Sequence, residues 1–257
     1  MTAFLLLSFL LGLVVGSFLN VVILRGAAGE SLGGRSRCTS CGKVLSVREL
    51  IPVVSFVIQK ARCRSCGAGL SWQYPLVELA TACGYLFAAW LLLPGLGADL
   101  TSVFVLVSAY VGIAAVIVIV VADFRFQVIP DGAVVALLAM GVLAGIARHA
   151  LVRDAAAALV LALFFAALWL VSRGRWMGFG DAKLTLATSL IVGFPASLAA
   201  FLFSFWLGGI AAVPLLLFKK RAMQSRIPFG PFIIAGTILA YFFSASFFRL
   251  AGFWWLS

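Results

Sequence analysis

Eight apolar segments constrain this chain more than any other feature of its sequence. A helix needs roughly 20 residues to cross the roughly 30 Å of bilayer hydrocarbon, and roughly 17 is the lower limit. All but the sixth reach that limit, and the sixth is either a re-entrant or immersed helix or shares its span with a following proline. The segments cover approximately residues 3–24, 74–93, 101–122, 132–148, 154–172, 182–194, 196–218 and 231–248.

Composition supports a membrane protein and argues against a nucleic-acid-binding one. The 257 residues are 64% hydrophobic and 11% charged, which is too apolar for a soluble domain of this size. The formal net charge of +11 comes from basic residues that punctuate the apolar segments and form no single basic face. The sequence therefore predicts an all-α polytopic membrane protein with about eight transmembrane helices.

The distribution of lysine and arginine predicts the orientation. If the N-terminus lies outside, only three of the 19 basic residues, Arg148, Arg153 and Arg249, fall in outside segments. This bias places the long loop 25–73 on the cytoplasmic side. The first segment lacks a basic leader region and a small-residue cleavage site, so we expect a retained helix and no signal peptide.

Four of the five cysteines lie in that loop, as Cys38-x2-Cys41 and Cys63-x2-Cys66 with 21 residues between the pairs. Two such pairs supply four thiolates at tetrahedral geometry, which suits a structural Zn²⁺. Two disulfides are the alternative, but a cytoplasmic loop is kept reduced, which favours zinc. Cys83 lies in the second apolar segment, and we expect a small buried hydrophobic residue there.

Two aspartates stand beside apolar segments in a chain with few acids. Asp123 directly follows the third segment, and Asp181 ends the sequence Gly178-Phe179-Gly180-Asp181. A carboxylate at membrane depth is costly and suggests function. Two carboxylates that share one proton can hydrolyse a peptide, because the ionised one takes a proton from water while the protonated one polarises the carbonyl. Gly178 and Gly180 would allow an extended substrate to approach closely.

Other interpretations of these acids remain open from the residues alone. Asp131 and Asp154 precede apolar segments and look like helix N-caps. Asp181 is open to the same interpretation, as the cap of a helix starting near Ala182 with Lys183 as a solvated neighbour. A proton-coupled transporter also uses intramembrane acids, but usually near the midplane between repeated halves, and no repeat is apparent here.

Ordered motifs stand at residues 16–22, the two cysteine pairs, 51–55, 74–78, 123–131, 177–183 and 227–231. In these motifs, which extend along nearly its whole length, the chain resembles the bacterial type IV prepilin peptidase family. The resemblance implies an enzyme of the bacterial inner membrane that cuts the leader from type IV prepilins or pseudopilins after a glycine, at the cytoplasmic face. It also implies methylation of the new N-terminal residue by S-adenosylmethionine.

The resemblance also assigns roles to particular residues. It implies that Asp123 and Asp181 are the catalytic pair, supported by Gly178, Gly180 and Lys183. The four loop cysteines match at all positions. It implies three parts: a first transmembrane helix over 1–24, a zinc-binding, methyltransferase-associated insertion over 25–73, and a peptidase domain over 74–257.

Two departures and one gap qualify the resemblance. Relatives often have an acid where this chain has Arg125, and a glycine where it has Trp176. Both changes leave the catalytic carboxylates in place, but the resemblance does not determine which leader this chain prefers. No glycine-rich nucleotide fingerprint is visible. Asn20, Glu49 and Glu78 are candidates for contacting the methyl donor, with structural hydrogen bonding as the equal alternative, and they are not assigned to that site.

Overall fold

A computed structural model describes residues 1–95, 97, 99–217 and 228–253. The described residues form nine α-helices and short 3-10 turns, without a named strand. The helices are α1 (Thr2–Ala28), α2 (Val54–Ile58), α3 (Gln73–Leu92), α4 (Leu100–Phe126), α5 (Asp131–Ala147), α6 (Leu151–Ser172), α7 (Phe179–Val192), α8 (Ala196–Leu217) and α9 (Gly230–Leu250). The basic residues Lys219, Lys220, Arg221 and Arg226 and the motif residue Ile227 lie outside the described part.

Each of the eight predicted apolar segments corresponds to one of the long helices. Six of these, α1, α3, α4, α6, α8 and α9, are long and apolar enough to cross a membrane. With 17 and 14 residues, α5 and α7 are only about 26 Å and about 21 Å long. The chain is thus all-helical with six candidate spans among the described residues. The predicted count of eight spans is not confirmed, because α5 and α7 are shorter than a typical span.

The chain divides into two compact units, 1–118 and 119–257. In the first unit, α1 and α3 pack with their backbones in close approach. A Cβ placed on Gly12 would lie 2.5 Å from the Ala82 Cα, and one on Gly16 would lie 2.7 Å from the Glu78 Cα. Small residues four apart allow such packing where no hydrophobic effect drives helices together. The loop with the four cysteines, α2 and the first part of α4 complete this unit.

The second unit is built around the short helix α7. Leu184 and Ala187 of α7 are fully buried, and the helix packs against α5, α6, α8 and α9. A Cβ on Gly141 of α5 would lie 2.6 Å from the Leu190 Cβ, so α5 and α7 also approach closely. The end of α4, which carries Asp123, belongs to this unit.

The C-terminal end of α7 is closed by a polar network from the α5–α6 connection. The Arg148 guanidinium donates to the carbonyls of Leu190 and Ile191, at 2.8 and 2.9 Å. Asp154 accepts from Arg148 at 3.0 Å and from the Phe194 N–H at 3.0 Å. The network satisfies backbone groups that a helix end leaves free, so α7 can end inside the bundle.

Asp154 therefore does not act as the N-cap that the sequence suggested. The N-cap residue of α6 is Ala150, and Asp154 lies in the first turn with a fully buried side chain. It forms ion pairs with both Arg148 and Arg153. Two of the three basic residues predicted to lie outside thus have a structural partner.

Candidate functional site

Asp123 lies near the C-terminal end of α4, and its side chain is only 6% exposed. Its Oδ2 accepts a hydrogen bond from the Gly230 N–H at 2.9 Å. Gly230 is the first residue of α9, where free N–H groups and the helix dipole favour a negative charge. A Cβ on Gly230 would lie 2.7 Å from the Asp123 Oδ2, so any larger residue there would displace the carboxylate or the helix start.

Asp181 is the third residue of α7 and is also only 6% exposed. Its Oδ2 accepts the Gly178 N–H at 3.2 Å, which caps the start of the helix. The N-cap position, which the alternative interpretation gave to Asp181 before a helix starting near Ala182, is occupied by Gly178, because α7 begins at Phe179. Gly180, next to Asp181, lies against Ile129 of the segment that carries Asp123, so the two aspartate motifs lie side by side. Capping and pairing are compatible because the bond from the Gly178 N–H uses only the Oδ2 of the Asp181 carboxylate.

Ile129, in the connection between α4 and α5, brings the two aspartate motifs together. A Cβ on Gly180 would lie 3.0 Å from the Ile129 Cβ, and one on Gly230 would lie 3.5 Å from the Ile129 Cδ1. Pro130 precedes α5, as its effect on helix continuation predicts. At Gly180 the absent side chain therefore makes room for Ile129 of the same chain, a role beyond the predicted approach of substrate.

Gly230 and Ile129 are site residues that the sequence reasoning did not single out. Gly230 stands in the sequence Pro228-Phe229-Gly230-Pro231, in which glycine and proline signal a turn. That signal locates a helix start. It does not reveal that the start faces an aspartate far away in the chain.

Lys183, the fifth residue of α7, forms an ion pair with Asp131, the first residue of α5. Lys183 also lies over the Phe179 ring, with its Nζ 5.8 Å from the ring centroid. Asp131 is the first residue of α5, after the N-cap Pro130, so the predicted capping role is not observed. Lys183 is partly exposed, as the solvated neighbour of the alternative interpretation would be, and it also has a partner beside the aspartate motif.

The four loop cysteines form one cluster in the first unit. Their Sγ atoms all lie within 4.8 Å of one another, and Cys38 Sγ and Cys66 Sγ are 3.9 Å apart. Tetrahedral coordination with Zn–S bonds of about 2.3 Å separates sulfurs by about 3.8 Å, so the cluster fits zinc. All four cysteines are free, so the predicted alternative of two disulfides is not observed.

The two cysteine knuckles share one local geometry. Gly42 and Gly67 each have φ +71°, and each donates its N–H to the carbonyl of the first cysteine of its pair at 2.9 Å. Hydrogen bonds from the backbone N–H groups of Cys41 and Ser40 lower the pKa of the Cys38 thiol to about 6. At Cys38 the knuckle thus favours the thiolate, which is the form that binds a metal, whereas burial and the neighbouring thiols raise the pKa of the Cys66 thiol to about 11.

Comparison with known families matches both halves of the chain. Residues 10–92 match the bacterial peptidase A24 N-terminal domain, and residues 110–213 match the type IV leader peptidase family. The chain is also 34% identical over 244 residues to a Bacillus subtilis protein, covering 93% of this chain and 94% of that one. The chain belongs to the type IV leader peptidase family.

Other relatives agree. The Bacillus protein is named prepilin leader peptidase/N-methyltransferase. Relatives from Pseudomonas aeruginosa and Dickeya chrysanthemi, which are 33% and 32% identical to this chain, carry the same name. The alignments cover 92% and 87% of this chain and 89% and 87% of those relatives. No solved structure matches the chain. Nothing in these matches supports the transporter alternative.

For this member of the family, the three polar candidates for the methyl donor are engaged within the first unit. Asn20 donates to the Tyr74 carbonyl at 3.2 Å, and Glu78 accepts the Val53 N–H at 2.7 Å. Glu49 accepts both the N–H and the hydroxyl of Ser46 at 2.8 Å. These bonds give all three a structural role, so none of them is assigned to the methyl donor.

Cys83 is the one cysteine whose predicted environment is wrong. It lies on α3 with an exposed side chain, whereas burial was expected. In a candidate membrane span, an apolar residue can face outward because the surrounding lipid is itself apolar.

Proposed function

We propose that this chain is a membrane aspartic peptidase that removes the leader of type IV prepilins or pseudopilins after a glycine and then methylates the new N-terminus. The relatives' name supports both activities. The observation that carries the peptidase assignment is the pair of buried carboxylates of Asp123 and Asp181, whose motifs meet where Ile129 lies against Gly180. Each lies in a motif on which the resemblance rests.

In the proposed mechanism, the ionised member of the pair accepts a proton from water. The water oxygen then bonds to the scissile carbonyl carbon while the protonated member donates a hydrogen bond to the carbonyl oxygen. When the C–N bond breaks, a proton passes to the leaving amine. The Gly178 N–H orients the Asp181 carboxylate, and the Gly230 N–H orients the Asp123 carboxylate.

Residues at the edge of this pair would hold its geometry. Gly180 admits the Ile129 side chain, and the Lys183–Asp131 ion pair ties the starts of α7 and α5. Phe124 and Phe179, beside the aspartates in sequence, are 69% and 47% exposed. We propose that such exposed apolar surface receives the apolar helix of the prepilin.

The membrane setting completes the proposal. All eight long helices would insert in the bacterial inner membrane, with the loop 25–73 and both aspartates on the cytoplasmic side. The asymmetric distribution of lysine and arginine supports this orientation. The lipid bilayer and the prepilin are the proposed partners, and nucleic acid is not.

Zinc and S-adenosylmethionine are the proposed cofactors, with different support. Cys38, Cys41, Cys63 and Cys66 would hold a structural zinc, since four sulfur ligands leave no open position for water. When bound, the methyl donor would supply the methyl group, and its use is proposed from the relatives' name alone. We propose that 1–24 anchors the chain, 25–73 serves methyl transfer and 74–257 is the peptidase.

Asp123→Asn and Asp181→Asn test the peptidase assignment. With a prepilin as substrate in reconstituted membranes, each variant should lose cleavage by at least about 1,000-fold, because neither amide can take the proton from water. Asp99→Asn is the control, since Asp99 is an exposed acid hydrogen-bonded to Ser102. Near-normal cleavage by either of the first two variants would reject the pair.

The same assay distinguishes a peptidase that also transfers a methyl group from a peptidase that does not. With isotope-labelled S-adenosylmethionine present, mass spectrometry of the processed prepilin should show one added methyl group at the new N-terminus. A cleaved but unmethylated product would show that the chain is a peptidase alone.

A further inference from the structure

A row of hydroxyl side chains continues along α7 from Asp181 into the second unit. Thr185, Thr188 and Ser189 follow Asp181 by four, seven and eight residues, which places them on the same face of a helix. All three are at least 95% buried. Buried hydroxyls in an apolar bundle are costly unless each finds a hydrogen-bond partner.

These hydroxyls line a small cavity. The cavity has a volume of about 10 Å³, and its polar lining also includes Ser204 of α8 and Thr237 of α9. A space of about 10–15 Å³ accommodates the centre of one water molecule. The cavity therefore suits a single water and no larger ligand.

Among the described residues that line this cavity, Thr185 has an unpaired hydroxyl and three other hydroxyls have free acceptor lone pairs. Thr188, Ser204 and Thr237 donate to carbonyls of their own helices, at 3.0, 2.7 and 2.8 Å. Their oxygens keep lone pairs, since a hydroxyl accepts as well as donates. Thr185 Oγ1 is buried and has no partner among the residues that the structure describes.

A water molecule would complete this arrangement, because it accepts one hydrogen bond from Thr185 and donates to the neighbouring hydroxyl oxygens. Buried waters typically make about three such bonds. Thr185 follows Asp181 by four residues, so the site lies about 6 Å further along the helix axis. We infer that Thr185 and its neighbours bind one internal water a turn beyond Asp181, from which the water consumed in each cleavage is replaced.

The inference rests on the proposed peptidase function and gives Thr185 the part of a positioning residue. Peptide hydrolysis consumes one water per turnover, and a bundle of apolar helices offers few places to hold it. Thr185 is the residue of the cavity lining that lies nearest to Asp181 along α7, one turn away on the same face of the helix. Its chemistry recognises water, and no other ligand is required.

Thr185→Val and Thr185→Ser, in the full chain with a prepilin substrate, test the inference. Valine keeps the shape but removes the donor, so we expect kcat to fall about tenfold with KM unchanged. We also expect a lower melting temperature, because the bound water and its hydrogen bonds are lost. Serine keeps the hydroxyl and should restore both values.

Ser197→Ala is the matched control. Ser197 Oγ is likewise buried without a partner among the described residues, but Ser197 does not line the cavity. Removing a truly unpaired hydroxyl should raise the melting temperature and leave kcat unchanged. If Thr185→Val behaves in this way, no water is bound and the inference is overturned.

Failure of the inference and failure of the peptidase proposal give different results. A lower melting temperature of Thr185→Val with normal kcat would leave a structural water only and reject its supply to the aspartates. If the wild-type chain cleaves no prepilin, the peptidase proposal fails, while the sign of the change in melting temperature still decides whether Thr185 binds a water.

Discussion

Each proposed catalytic carboxylate receives a backbone N–H from a glycine. The Asp181 Oδ2 accepts from Gly178 at 3.2 Å, and the Asp123 Oδ2 accepts from Gly230 at 2.9 Å. These neutral donors orient a carboxylate without fixing its protonation as a lysine or arginine ion pair would. Such an arrangement suits a pair in which either member must be able to carry the shared proton.

Gly230→Ala should disrupt this orientation at Asp123. The added Cβ would lie 2.7 Å from the Asp123 Oδ2, so the carboxylate or the start of α9 must move. Displacement of a catalytic group by about 1 Å can cost about 100-fold, and we expect a fall of that order in kcat/KM for leader cleavage. Kinetics with a purified prepilin would measure it.

Gly209→Ala is the control for this prediction. A Cβ on Gly209 of α8 meets no atom within 4 Å, so its cleavage kinetics should stay normal. Equal rates for the Gly230 and Gly209 variants would show that the contact at Asp123 does not matter for the reaction.

At the scale of elements, the short helix α7 depends on partners at both ends. Its start is capped by Asp181 itself, and its last carbonyls are satisfied by Arg148, which Asp154 holds in place. A 14-residue helix covers about 21 Å, so one of its ends must lie inside the bundle. The Arg148–Asp154 pair makes that possible.

Asp154→Ala should therefore destabilise the second unit. The change removes the acceptor of Arg148 and of the Phe194 N–H, and Asp154 is fully buried. We expect a loss of about 2–3 kcal/mol, below the 3–5 kcal/mol of a fully buried pair because the Arg148 side chain is 35% exposed. Thermal or denaturant unfolding in detergent would measure the loss.

Arg153→Ala provides the comparison. Arg153 pairs with the same carboxylate, but its side chain is 58% exposed, so its loss should cost less than about 1 kcal/mol. A similar cost for both variants would contradict the assignment of Asp154 as the residue that holds this network together.

At the scale of the whole molecule, the cysteine cluster and the aspartate pair belong to different compact units. The four cysteines lie within 1–118, and Asp123, Asp181 and Gly230 lie within 119–257. We therefore expect that damage to one site leaves the packing around the other site in place. Because the two sites belong to different units, methyl transfer and cleavage should respond differently to changes in the cysteine cluster.

Cys38→Ser should therefore impair methyl transfer more than cleavage. Serine is a poor zinc ligand, so the purified variant should lose the metal, which we expect at about one zinc per chain in the wild type. Without zinc, the loop 25–73 should lose its fold, since it has little core of its own. Metal analysis and mass spectrometry of the processed prepilin would check both results.

Cys83→Ser is the control, because Cys83 lies on α3 outside the cluster. It should keep zinc and both activities. Zinc-free wild-type protein with full methyl transfer would contradict a structural metal, and equal loss of cleavage and methylation in Cys38→Ser would contradict the separation of the two units.

The sequence by itself determined the helices and the cysteine cluster. Every predicted apolar segment became a helix, because hydrocarbon offers the backbone no partner outside its own segment. The cysteine pairs could be predicted as one cluster because each knuckle is a local turn, set by residues such as Gly42 and Gly67. The start of α7 was predicted near Ala182, whereas the helix begins at Phe179 with Gly178 as its N-cap residue and includes the proposed catalytic acid.

Only the tertiary structure decided which distant groups complete the site. The Gly230 N–H reaches Asp123 across 107 residues of chain, and the Arg148 guanidinium reaches the α7 carbonyls across 42 and 43. Such contacts depend on how closely helices approach, which small residues such as Gly141 and Gly180 permit. Local patterns specify helices, whereas the alignment of one helix end against another is set by packing throughout the unit.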